Sequence, residues 1–174
     1  MSYAGSNGEV NAKLNLNGKS PVIKMNGGVI VHLIAKGNST DERFGLFKWD
    51  MPSNAGGPAP HFHKTFSESF YILSGHVDVW DGNNWTKTSA GDFMFVKEGG
   101  IHAFKNDSGE PASMLILFAP GPPREKFFVE MAEISKSGKK LTPEEWTSFY
   151  ARHDQFMVWY IIIYVCHLNM RLLN

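Results

Sequence analysis

The chain has 174 residues, with Lys plus Arg and Asp plus Glu balanced at 17 each, and 43% apolar residues including 13 Phe, 5 Trp and 5 Tyr. That length suits one hydrophobic core, and a net charge of zero argues against nucleic acid or an anionic membrane surface as partner. The single cysteine, Cys166, excludes an intramolecular disulfide, a four-thiolate zinc site and a CxxC redox centre, and points to a reducing, cytoplasmic setting.

Residues 1–19 are rich in Asn, Gly and Ser and lack an apolar h-region, so they read as a flexible arm rather than a secretory signal. From Pro21 to Ala119 short apolar segments alternate with turn signals such as Asn26-Gly27-Gly28, Ser74-Gly75 and Ala90-Gly91-Asp92. This pattern predicts antiparallel strands over 21–24, 29–35, 44–50, 59–63, 69–74, 77–80, 85–88, 92–96, 101–105 and 113–119. After Pro120-Gly121-Pro122-Pro123 the period changes. Phe127, Phe128, Met131 and Ile134 recur at helical spacing, predicting a short amphipathic helix on the outside of the sheet. A second helix starts at Thr142-Pro143-Glu144-Glu145, with Thr as N-cap, Pro at N1 and Glu145 as the capping-box partner. The tail from residue 158 carries nine consecutive apolar residues, half of what a membrane-spanning helix requires. It is expected to pack against the barrel or a neighbouring subunit. The organisation expected is an arm (1–19), a β-barrel (20–120), a helical extension (121–157) and an apolar tail (158–174).

His61 and His63, one residue apart on a strand, project from the same face. Glu68 follows at the start of the next strand, and His102 comes three residues after Gly99. Imidazole and carboxylate together suit a divalent transition metal such as Fe, Mn, Ni, Cu or Zn. In an octahedral site, four protein ligands leave two positions open; in a tetrahedral zinc site they leave none. His32, His76, His153 and His167 have no such spacing and are expected to be surface or structural residues.

At these positions the chain resembles the cupin superfamily. Its first motif, G(X)5HXH(X)3,4E(X)6G, is matched by His61, His63, Glu68 and Gly75, with Ala55 at the leading glycine's place and Gly56 and Gly57 just after it. The second, G(X)5PXG(X)2H(X)3N, is matched by Gly91, Gly99, His102 and Asn106, with Lys97 in place of the proline. The resemblance implies an all-β fold, an antiparallel double-stranded β-helix (jelly-roll) barrel followed by two short α-helices. It also implies one divalent metal held by His61, His63, Glu68 and His102, and a homodimer. Phe70 shares the face of Glu68 and Phe104 that of His102; with Phe47, Trp49, Met114 and Ile116 they are the residues expected to line a substrate pocket. Asn106 is expected to hold a turn.

Quercetinase-like single-domain cupins share this ligand pattern, so the function implied is a dioxygenase acting on a flat enolic or phenolic small molecule, with Glu68 as catalytic base. The alternatives are an oxygen-independent, metal-assisted cyclase, isomerase or hydrolase, and a non-catalytic metal or small-molecule binding protein.

Overall fold

The computed structural model describes residues 3–8, 10–16 and 18–158; the apolar run after Val158, with His167, lies outside them. The strands are Val22–Lys24 (β1), Ile30–Ala35 (β2), Gly45–Met51 (β3), His61–Phe62 (β4), Ser67–Ser74 (β5), His76–Trp80 (β6), Trp85–Ser89 (β7), Phe93–Val96 (β8), Ala103–Lys105 (β9), Ala112–Ala119 (β10) and Phe156–Met157 (β11). Two helices, Arg124–Ser137 (α1) and Pro143–Arg152 (α2), follow β10.

Every pairing is antiparallel. One layer is a six-stranded sheet in the order β1-β2-β3-β10-β5-β8, and the other is built from β7-β6-β9 and β11-β4. An isolated bridge between His61 and His102 joins these last two pieces, through reciprocal backbone bonds of 3.0 and 2.9 Å. The strands thus form a jelly roll of two facing layers rather than one continuous closed barrel. The segment expected as a strand over 59–63 pairs only at His61 and Phe62, because Ala59 O accepts from the His61 ring instead of a neighbouring strand.

Period-two alternation sorts the side chains. Phe47, Trp49 and Met51 on β3, Glu68, Phe70 and Ile72 on β5, and Met114, Ile116 and Phe118 on β10 are all buried. Register then places Phe118 opposite Glu68, Ile116 opposite Phe70 and Met114 opposite Ile72. From the facing layer Phe104 meets Trp49 and Phe70, with ring centroids 5.9 and 5.6 Å apart. Val77 and Val79 complete the core on that side. Burying each such side chain is worth about 1.5–3 kcal/mol, which holds the layers together. At Gly75, with φ +70°, a Cβ would stand 2.4 Å from Pro111 O, so only glycine lets β5 turn into β6 there.

The first helix, expected on the outside of the sheet, turns its apolar stripe onto the inward-facing residues instead. α1 places Phe128 edge-on against Phe47 and Trp49, at 5.4 and 5.2 Å, and Phe127 stacks on Phe149 of α2 at 5.3 Å. Inward residues at one end of the sheet leave aromatic surface uncovered, and the apolar stripe of α1 supplies the cover. α2 begins as expected: Thr142 Oγ1 accepts from Glu145 N–H and Glu145 Oε2 accepts from Thr142 N–H. Past α2 the chain returns to the second layer, where β11 pairs with β4 and Val158 N–H donates to Pro60 O. No helix among the described residues is long and apolar enough to cross a membrane.

Candidate metal centre

His61 and His63 leave β4 on one face, Glu68 points inward from β5, and His102 stands just before β9. All four are buried, and one ligating atom from each lies within 4.8 Å of all the others. A first-row ion with bonds of about 2.0–2.2 Å sets opposite ligands roughly 4.0–4.4 Å apart, so a contraction of a few tenths of an ångström would close the cluster on such an ion.

The hydrogen bonds around the rings decide which nitrogens face inward. His61 Nδ1 lies 2.9 Å from Ala59 O, His63 Nδ1 2.5 Å from Asp154 O and His102 Nδ1 3.0 Å from Gly100 O. A carbonyl only accepts, so each Nδ1 carries a hydrogen, and a ring in its neutral form keeps its lone pair on Nε2. Yet His63 Nε2 and His102 Nε2 both approach Glu68 Oε2, at 3.0 and 2.9 Å. With neutral rings these are lone pairs directed at a carboxylate oxygen, an arrangement that a shared cation satisfies. Backbone carbonyls on Nδ1 and a carboxylate beside Nε2 are the surroundings of metal-ligating imidazoles, and this donor set fits a divalent transition metal.

The electrostatics agree. Burial, reinforced by the neighbouring His102 and His63, pushes His61 well below its ordinary value, keeping it neutral. Burial works to raise Glu68, and cationic, Nε2-protonated forms of His102 and His63 would outweigh it and hold the carboxyl well below the usual range; with the rings neutral, a shared cation supplies that charge instead.

Glu68 and His61 line a cavity of about 650 Å³ that runs from the cluster to the helices. Of the residues expected to meet a substrate, Trp49, Phe104 and Ile116 line it, and Phe47, Phe70 and Met114 do not. These three are packed in the core beneath it: strand parity places them inward, but neighbouring side chains cover them. Most of the remaining wall comes from positions that strand parity does not reach, including Phe127, Phe128 and Met131 of α1, Trp146 and Tyr150 of α2, and Gln155.

Two further residues carry the site's geometry. Asp154, with φ +51°, holds the His63 ring through its carbonyl, while its carboxylate accepts from Lys64 N–H, Thr65 N–H and Thr65 Oγ1–H. Arg124, only 5% exposed, donates from Nη1 to His153 O and from Nη2 to Gln155 Oε1. Burial lowers its pKa to about 10, so it stays charged at neutral pH. Neither residue has a sequence signal, since Arg124 reads as the solvated first turn of α1 and Asp154 as a loop residue.

The other histidines among the described residues make structural contacts. His32 pairs with Asp50, His153 with Glu130, and His76 lies against Thr88 O. Asn106, fully buried, donates to Pro52 O and Glu110 O and accepts from Ser108. It closes the turn after β9.

Residues 47–118 match the Cupin domain family model. Among curated proteins, the chain is similar to quercetin 2,3-dioxygenase of Bacillus subtilis, 25% identical over 97 residues, 56% of this chain and 28% of that protein. It is also similar to an uncharacterized protein of Aquifex aeolicus, 30% identical over 61 residues, 35% of this chain and 50% of that one. The matches therefore span about a quarter and a half of those relatives. Among solved structures, KdgF from Halomonas sp. superposes with a TM-score of 0.58 at 15% identity, covering 66% of this chain and 99% of that one. An RmlC-like cupin from Shewanella frigidimarina gives 0.56 at 17%, covering 67% and 96%. The polyketide cyclase RemF from Streptomyces resistomycificus gives 0.54 at 18%, covering 63% and 80%. At those identities the structural likeness speaks for the fold. Together with the family model matched over residues 47–118 and the two histidine motifs, it supports a cupin domain with the cupin jelly-roll fold in this chain.

Proposed function

We propose that this protein is a metal-dependent cupin enzyme that oxygenates a flat enolic or phenolic small molecule, flavonol-like in shape. The observation that carries the reading is the cluster itself: three imidazoles fixed by backbone carbonyls on Nδ1, with Nε2 and the Glu68 carboxylate converging at the base of an aromatic cavity. His61, His63, Glu68 and His102 would hold one divalent metal. When bound there, a redox-active metal supplies Lewis acidity and a means of activating dioxygen.

The chain's own residues do the rest. Glu68, held as a carboxylate, accepts the enol or phenol proton from a substrate seated in the cavity. Trp49, Phe104 and Phe128 present ring faces and edges that hold a planar molecule and exclude water around it. The similarity to quercetin 2,3-dioxygenase, though confined to part of that protein, supports oxygenation. Oxygen-independent cyclisation or isomerisation is the second reading. It is favoured by the Glu68 carboxylate in the cavity wall, a proton acceptor that works without an oxidant.

Elemental analysis of protein purified without chelator, followed by an oxygen-uptake screen against flavonols and small enols, tests the proposal. One equivalent of iron, manganese, nickel or copper with oxygen consumed on conversion is the expected result. Conversion without oxygen uptake supports the second reading, and bound metal without any conversion supports a binding protein.

A further inference from the structure

Arg124 is the one charged group of the cavity wall whose environment is incomplete. Its guanidinium carbon lies 4.0 Å from the Phe127 ring centroid and 5.4, 5.6 and 5.8 Å from those of Phe118, Phe128 and Phe66. Phe118, Phe127, Phe128 and Arg124 itself line the cavity. A buried cation is normally matched by a carboxylate, but among the described residues Arg124 forms no salt bridge.

The two carboxylates near enough to act on it are Glu68 and Asp154, and both are committed elsewhere. Glu68 faces the histidines and Asp154 caps the backbone of Lys64 and Thr65. The bonds to His153 O and Gln155 Oε1 use two of the five guanidinium N–H groups, and Nε is buried with no hydrogen-bond partner. Trp49, on the same wall, likewise has a buried Nε1–H without a partner. The wall therefore holds spare donors and a positive charge that no carboxylate among the described residues contacts.

We propose that Arg124 is a ligand anchor, and that the cavity takes an acidic aromatic or enolic molecule whose carboxylate or comparable oxyanion docks on the guanidinium while its other end reaches the His61, His63, Glu68 and His102 cluster. Only the second attachment rests on the metal-site reading. The anion contact to Arg124 is independent of it. A planar guanidinium in an aromatic setting is suited to such a partner, because charge-assisted bonds strengthen when water is excluded and ring faces stack along the ligand.

The test is calorimetric titration of the full-length chain, metal-stripped and metal-loaded, with 2-naphthoate and with its uncharged isostere 2-naphthamide. In the metal-stripped wild type the acid is expected to bind at least about tenfold more tightly than the amide. That preference should vanish in Arg124→Met and survive in part in Arg124→Lys. Equal affinities in the stripped wild type, binding of neither probe, or an acid preference that persists in Arg124→Met would each overturn the assignment. Should Arg124→Met fail to fold, the acid and amide comparison in the wild type decides alone. An acid preference seen only with metal present rejects Arg124 and leaves the metal reading standing, whereas one seen in a chain that binds no metal does the reverse.

Discussion

Each imidazole of the cluster has its tautomer set by a carbonyl of a different segment: Ala59 just before β4, Gly100 before β9 and Asp154 after α2. Because the proposed site draws on three rings, removing two should abolish it: His61→Ala/His63→Ala should reduce bound metal from one equivalent to background by elemental analysis. Glu68 is separable. In Glu68→Gln three imidazoles remain to hold the ion while the proton acceptor is gone, so metal content should persist and turnover fall by about 10²–10⁴-fold. The pH response follows from His61. Its folded pKa lies below its unfolded value near 6.5, so below that pH the unfolded chain binds more protons than the folded one, and stability falls with acidification. Thermal unfolding of metal-free protein should therefore drop from pH 7.5 to pH 5.5, and His61→Asn should flatten that difference.

At the scale of elements, the segment from His153 to Val158 ties the helical extension to the metal centre. β11 pairs with β4, the Asp154 carboxylate holds the backbone of the loop leaving His63, and the Asp154 carbonyl orients that ring. Outer partners of this kind are worth about 10–100-fold in metal affinity. A chain cut after Arg152 should lose metal affinity by that order, while one cut after Met157 should keep it, because every proposed ligand and Asp154 remain. Competition with a chelator of known affinity measures both. The sequence placed the elements well because turn residues and period-two alternation are local signals, and the capping box at Thr142 is another. It could not show that α1 covers the open end of the sheet, since an amphipathic stripe states that a face is buried without stating against what.

For the whole molecule, the ligands come from both layers of the jelly roll, His61, His63 and His102 from one and Glu68 from the other. An ion bound there cross-links the layers and stabilises the folded state alone. At a free metal concentration about 100 times the Kd this amounts to about 2.7 kcal/mol, or roughly 5–11 °C in Tm for a chain of this size. Differential scanning calorimetry with metal and then with chelator should show that rise and its reversal.

Strand parity put His61 and His63 on one face, and the resemblance to the two cupin motifs added Glu68 and His102; the structure brings all four together. Turn residues in the sequence marked where the strands break, and Asn106 reads there as a side chain that holds a turn. Only the tertiary structure decided which buried aromatics meet the cavity: Phe70 and Phe104 are equivalent by parity, yet Phe104 lines it and Phe70 lies in the core. Only the tertiary structure, too, raised Arg124 and Asp154 to importance, one by burying a cation without a carboxylate and the other by bringing a carbonyl to a ring 91 positions earlier. Local periodicity fixes the direction of a side chain from its own strand. What that side chain meets is set by residues distant in sequence, which periodicity does not address.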